Sequence, residues 1–113
     1  MSVPAFEVRS SHAADVLIVE AVGEIDMATA PRLAEAMDAT TDTTRRVVVN
    51  LSEVTFLDSS ALNTLVHGRR VLAERDVVFR VVAPSERIVQ RVFEIAHLAD
   101  ELNLVGSLDQ ALA

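Results

Sequence analysis

The sequence predicts an α/β domain on a mixed, mostly parallel sheet of four to five strands, with about four helices. Three observations carry this. The runs Val16–Val22, Val47–Leu51 and Val77–Val82 are almost wholly apolar and rich in β-branched residues, as strands covered on both faces are. Between and after them, apolar residues recur at helical spacing. Strands that alternate with helices in this way need right-handed crossovers, which make neighbouring strands parallel.

The elements follow in order. Residues 1–4 read as a loose arm on a single domain spanning 1–113. Phe6–Arg9 alternates apolar and polar, and Ser10–Asp15 reads as a turn-like connector. So short a link makes the first strand antiparallel to the second and places it at an edge. Gly23 is expected to end the second strand. Ala30, Leu33, Ala34 and Met37 form a helical stripe, with Thr29 as its cap and Pro31 tolerated in the first turn. "TTDTT" (Thr40–Thr44) is a polar joint. Leu62, Leu65, Val66, Leu72 and Ala73 mark one face of a long helix, Ser59 to Glu74, in which Gly68 costs about 1 kcal/mol relative to alanine. Ser85 caps a further helix with Glu86 near its positive end, and Ile88, Val89, Val92, Phe93 and Ala96 form its stripe. Leu102–Val105 reads as a last short strand and Ser107–Leu112 as a terminal helix. Phe56 and Phe79 lie in apolar runs and are expected in the core.

Composition excludes several function classes. The chain has no cysteine, so disulfides and cysteine-based zinc sites are impossible, and a reducing cytosol fits. A net charge of −7 opposes binding to nucleic acid or to an anionic membrane, and favours a partner with a basic face. No apolar run approaches the roughly 18 residues of a membrane span, and Met1–Ser10 lacks a signal-peptide core. A soluble, cytoplasmic domain is expected.

Catalytic chemistry finds little support. His12, His67 and His97 lie far apart, without the spacing of a metal site. The three glycines, Gly23, Gly68 and Gly106, make no phosphate-binding loop. Ser59 is not framed by a Gly-x-Ser-x-Gly elbow. The expectation is a protein without cofactor or metal, and not an enzyme.

What remains is "FLDSSALNTL" (Phe56–Leu65), where Asp58, Ser59 and Ser60 stand between a strand and a helix. Binding sites of open α/β sheets lie outside the carboxyl ends of the strands. "GEID" (Gly23–Asp26) follows the preceding strand in the same way. If the two strands are parallel, both acidic loops share one sheet edge. Periodicity alone favours a simpler reading, in which these residues cap helices.

"AVGEIDMATAPRL" (Ala21–Leu33), "VVVNLSEVTFLDSSALNTLV" (Val47–Val66) and "VVAPSERIVQRVFEIAHL" (Val81–Leu98) together resemble the STAS domain family, and within it the bacterial anti-sigma factor antagonists. The likeness runs from about Phe6 to Leu112, and its Asp-Ser-Ser block is the most specific part. It implies a binding protein. Such antagonists engage an anti-sigma factor that is also a serine kinase of the GHKL ATPase type, and so release a sigma factor. The kinase phosphorylates the serine after the aspartate, which maps to Ser59, and a serine phosphatase reverses this. Asp26, Asp58, Ser60 and Ala61 map to the partner-binding edge, with Ser60 mainly structural. The implied assembly is a monomer or weak dimer, with no direct contact to nucleic acid or membrane. A phosphate on Ser59 would lie at the positive end of a helix dipole, so the fold should accept it and the helix should gain stability.

The chain departs from the family at three places where glycine is usual: it has Ala61 after the second serine, Arg75–Asp76 before the third central strand, and His97 after the third helix's stripe. The methyl of Ala61 is expected to slow phosphorylation or alter partner choice. A STAS subunit of an ABC-type transport complex and a stressosome-like scaffold component are the alternative readings. Neither needs a phosphoserine switch.

Overall fold

The computed structural model describes residues 6–113. The expected N-terminal arm, residues 1–4, lies outside them. The order is β1 (Phe6–Ala13), β2 (Val16–Ile25), α1 (Ala30–Met37), β3 (Arg46–Leu57), α2 (Ser59–Glu74), β4 (Val78–Val82), α3 (Arg87–Ile95), β5 (Leu104–Val105) and α4 (Leu108–Leu112). The five strands form one sheet in sequence order, β1-β2-β3-β4-β5. β1 is antiparallel to β2, and every other pairing is parallel. This is the mixed, mostly parallel sheet that the alternation of elements predicts.

Alternate residues of each strand point to opposite faces. On one face Leu17, Val19, Val47, Val49, Leu51, Phe79 and Val81 join Leu33 and Met37 of α1, Leu65 and Leu72 of α2, and Val89 and Phe93 of α3 in the main core. On the other face Val48 and Val82 meet Ala111 of α4. The guanidinium of Arg46 fastens that helix by donating from Nη1 to the carbonyls of Ala111 and Ala113, both at 3.0 Å.

Several local expectations are corrected. β1 continues through Ala13, so the β1–β2 link is only Ala14–Asp15. Gly23 does not end β2. It lies inside the strand at φ 98°, beside one of two register shifts against β3. Those shifts let the 12 residues of β3 run beside the 10 of β2. They also break the period-two pattern: Leu51, Val54 and Leu57 are buried at a spacing of three, which hides the second half of β3 from sequence reading.

Phe56 is not core: it is 47% exposed. Ile88 points outward at 76%, and Ala73 and Ala96 are also exposed, so the stripes of α2 and α3 are narrower than their apolar residues suggest. Ser85 does not cap α3. Its amide donates to the Ser52 carbonyl at 3.1 Å, and Glu86 holds the cap position without a side-chain bond. Thr29 stands at the cap of α1 but makes no capping bond.

Gly68 has a packing reason. A Cβ there would overlap Met37 Cε of the buried α1 side chain, so the missing side chain lets α1 and α2 approach closely. The two remaining departures from the glycine pattern prove to be helix ends. After α2, the amides of Asp76 and Val77 donate to the carbonyls of Ala73 and Leu72, at 3.1 and 3.0 Å. After α3, His97 and Leu98 donate to Glu94 and Phe93, both at 3.1 Å. Both are Schellman closures, which need one left-handed residue. Asp76 (φ 59°) and His97 (φ 57°) supply it where glycine would do so without strain.

Candidate functional site

β2 and β3 are parallel and end together, with Ile25 opposite Leu57. The chain therefore leaves both strands at one sheet edge, and the amide of Asp58 donates to the Ile25 carbonyl at 3.3 Å. The two acidic loops are adjacent, as the parallel reading requires.

Asp58 is half-buried and caps α2. Its Oδ1 accepts from the amides of Ser60 (2.9 Å) and Ala61 (3.3 Å), while its carbonyl accepts from Leu62 (3.2 Å). Three residues in a row could have shared this task, and the structure gives it to the aspartate. Ser59, at the first helical position, is exposed. Ser60 is half-buried; its amide is held by Asp58 and its carbonyl accepts from the Thr64 hydroxyl at 2.9 Å.

Two expectations change here. Ala61 is fully buried within the main core, so its methyl points inward and is not offered on the shared edge. A glycine there would leave a gap in the core beneath the loop. The first-turn amides of Ser60 and Ala61 are also already satisfied by a carboxylate. A group added to Ser59 lies beside that carboxylate, whose negative charge offsets part of the favourable helix-end field.

Asp26 organises its own loop. Its Oδ1 accepts from the amides of Ala28 (2.9 Å) and Thr29 (3.0 Å) and from the Thr29 hydroxyl (3.1 Å). In return the Thr29 hydroxyl accepts from the Asp26 amide at 2.8 Å. This reciprocal pairing occupies the Thr29 side chain and explains why it does not cap α1. Among the described residues, neither aspartate takes a hydrogen bond on its second oxygen. Each keeps an acceptor for a molecule outside the chain.

Sequence reasoning missed the apolar part of the edge. Met27, directly after Asp26, is 78% exposed, Phe56 is two residues before Asp58, and Ile88 opens α3. Phe56, Leu57, Ile88, Val89 and Val92 line a groove of about 210 Å³ between the end of β3 and α3. The missed signal lay in "IDMAT" and "TFLD", where a large apolar residue stands next to a loop acid. Phe56 and Ile88 meet at this groove, the kind of concave apolar surface that a partner can cover. A groove of about 310 Å³ lies between α1 and α2, lined by residues including Met37, Asn63 and His67. No group of histidines and carboxylates suited to a metal ion occurs among the described residues. None of their helices is long and apolar enough to cross a membrane.

Comparison with known proteins agrees with the architecture. The STAS domain family model matches residues 7–111. The anti-sigma-B factor antagonist of Staphylococcus aureus is 34% identical over 87 residues, covering 76% of this chain and 80% of the relative. The crystal structure of an anti-sigma factor antagonist from Mycobacterium paratuberculosis superposes with a TM-score of 0.86 at 32% identity, covering 99% of this chain and 96% of the other. The unphosphorylated form of the anti-sigma factor antagonist SpoIIAA shares the fold, with a TM-score of 0.72 at 17% identity over 96% of this chain and 93% of its own. A sheet of this order, a family match over nearly the whole described length and relatives above 30% identity lead to one conclusion: the chain belongs to the STAS domain family.

Proposed function

We propose that this protein is an anti-sigma factor antagonist that binds an anti-sigma factor of the GHKL serine-kinase type and is switched off by phosphorylation of Ser59. The observation that carries the reading is the setting of Ser59. It is an exposed residue at the first helical position, directly after the Asp58 cap and at the sheet edge that also carries the Asp26 loop, with exposed apolar side chains in the same segments: Met27 after Asp26, and Phe56, which shares a groove with Ile88. A kinase can reach such a residue, and a partner can bury those apolar side chains. The free oxygens of Asp26 and Asp58 suit a basic partner face, consistent with the overall charge of −7.

The switch acts at the contact surface. A phosphate brings about −1.5 to −2 charge beside Asp58, which already holds the Ser60 and Ala61 amides. It protrudes into the partner's space and repels any carboxylate there, while the core beneath is untouched. A serine phosphatase that removes it restores binding.

The test incubates the protein and ATP with candidate GHKL anti-sigma kinases and maps the phosphate by mass spectrometry. Phosphate on Ser59, absent from Ser59→Ala, is the expected result; phosphate persisting in Ser59→Ala refutes the site. Ser59→Asp should lose the anti-sigma factor while keeping its circular dichroism spectrum and melting temperature. Unfolding of that variant refutes a surface switch.

A further inference from the structure

Away from that edge, β1 closes the sheet with one side bonded to β2 and, among the described residues, no strand on the other. Such an edge offers unpaired N–H and C=O groups to any strand that matches it, and proteins commonly guard it with proline, lysine or bulges. Between Phe6 and Ala13, β1 has no proline, lysine or bulge, its two charges Glu7 and Arg9 are of opposite sign and can pair rather than repel, and it pairs with β2 without a register shift over all eight residues. We propose that β1 pairs antiparallel with β1 of a second copy of this chain, in the single register centred on Val8.

The register follows from geometry and charge. Directly opposed residues must point to the same face, so a two-fold pairing of identical strands centres on a residue, never between two. Centred on Glu7 or on Arg9, a charge meets its own kind, which is destabilising. Centres nearer the β1–β2 turn bring no opposite charges together. Centred on Val8, Glu7 of each copy lies opposite Arg9 of the other, which forms two symmetry-related ion pairs on the open face. On the other face half-buried Val8 meets its own copy. Beside it runs a groove of about 320 Å³ lined by Val8, Ser10, Arg32, Glu35, Ala36 and Ala39. Arg32 is held there with its guanidinium 5.0 Å from the centre of the Phe6 ring. Its acid and base on neighbouring turns of α1 are again self-complementary across a two-fold axis. The result is one continuous sheet of two copies, with the Asp26–Asp58 edge formed by other strands.

Sedimentation velocity up to about 1 mM protein tests this, with circular dichroism as the folding control. Wild type should show a reversible monomer–dimer equilibrium. Glu7→Arg alone and Arg9→Glu alone each set like charges opposite and should weaken the dimer about tenfold or more. A one-to-one mixture of these two variants places opposite charges face to face again and should recover dimer as a heterodimer. The double variant Glu7→Arg/Arg9→Glu should dimerise as wild type does. A wild type that stays monomeric throughout overturns the proposal. So does a dimer that survives both single substitutions, or a mixture that recovers nothing.

Discussion

Asp58 both caps α2 and keeps one oxygen free, and these roles can be separated by substitution. Asp58→Ala removes the acceptor for the Ser60 and Ala61 amides, at 2.9 and 3.3 Å, from a helix of 16 residues. Loss of such a cap costs about 1 kcal/mol, up to about 2. Asp58→Asn keeps an oxygen that can accept both bonds and loses only the charge at the positive helix end, about 0.3–1 kcal/mol. Thermal melts should therefore rank wild type above Asn above Ala, with Ala lower than wild type by about 3–8 °C. If the free carboxylate oxygen also meets a cationic group of the anti-sigma factor, both variants lose a charge-assisted bond of about 1.5–3 kcal/mol. Calorimetric titration should then show affinity falling by about tenfold to a hundredfold in both. The stability ranking and the affinity ranking thus differ, because Asn keeps the cap but not the contact. Wild-type affinity in Asp58→Asn would refute recognition by Asp58 and leave it a cap alone. Equal melting of Asn and Ala would refute the capping geometry.

Three further outcomes follow from the packing. Gly68→Ala should fail to deliver the usual helix gain of about 1 kcal/mol and should destabilise, because its methyl meets Met37 Cε; with Met37→Ala already in place the same change should stabilise, and equal effects in both backgrounds in chemical denaturation would deny the close approach. His97→Gly should raise the melting temperature by about 3–6 °C, since it relieves a left-handed residue at φ 57° in the closure after α3; an unchanged or lower value counts against the strain. Replacing Ile88, 76% exposed, by serine should leave folding within about 0.5 kcal/mol, and replacing half-buried Phe56 should cost about 1–2 kcal/mol without unfolding the chain, while both should weaken the anti-sigma factor by about tenfold or more. Wild-type binding by both variants would remove this apolar groove from the interface.

Much of the fold was legible because the strongest patterns belong to fully covered elements. "VLIVEAV", "VVVNL" and "VVFRVV" are short, β-branched apolar runs that read as largely covered strands, and the alternation with helices leaves few topologies. The errors fell where one residue breaks a period. Gly23 reads as a stop in the sequence but lies inside β2, opposite the stretch where β3 carries its extra residues, and Phe56, next to core-facing Leu57, turns to the other face of the sheet, where it is partly exposed. At Ser85 and Thr29 residue type suggests a cap, but the Ser85 amide ties that residue to Ser52 of β3, one position short of the cap, and the Thr29 hydroxyl is spent on the Asp26 loop.

By itself, then, the sequence determined an α/β domain, a first strand folded back as an antiparallel edge, and Asp26 and Asp58–Ser60 at strand ends, because burial period and capping chemistry are local properties. Only the tertiary structure decided which of three capping residues does the capping, that Ala61 faces the core while Ser59 faces solvent, and that Gly68 makes room for Met37. Those outcomes depend on what stands opposite each side chain across the sheet and between the helices, and no local pattern in one chain encodes its neighbour in space.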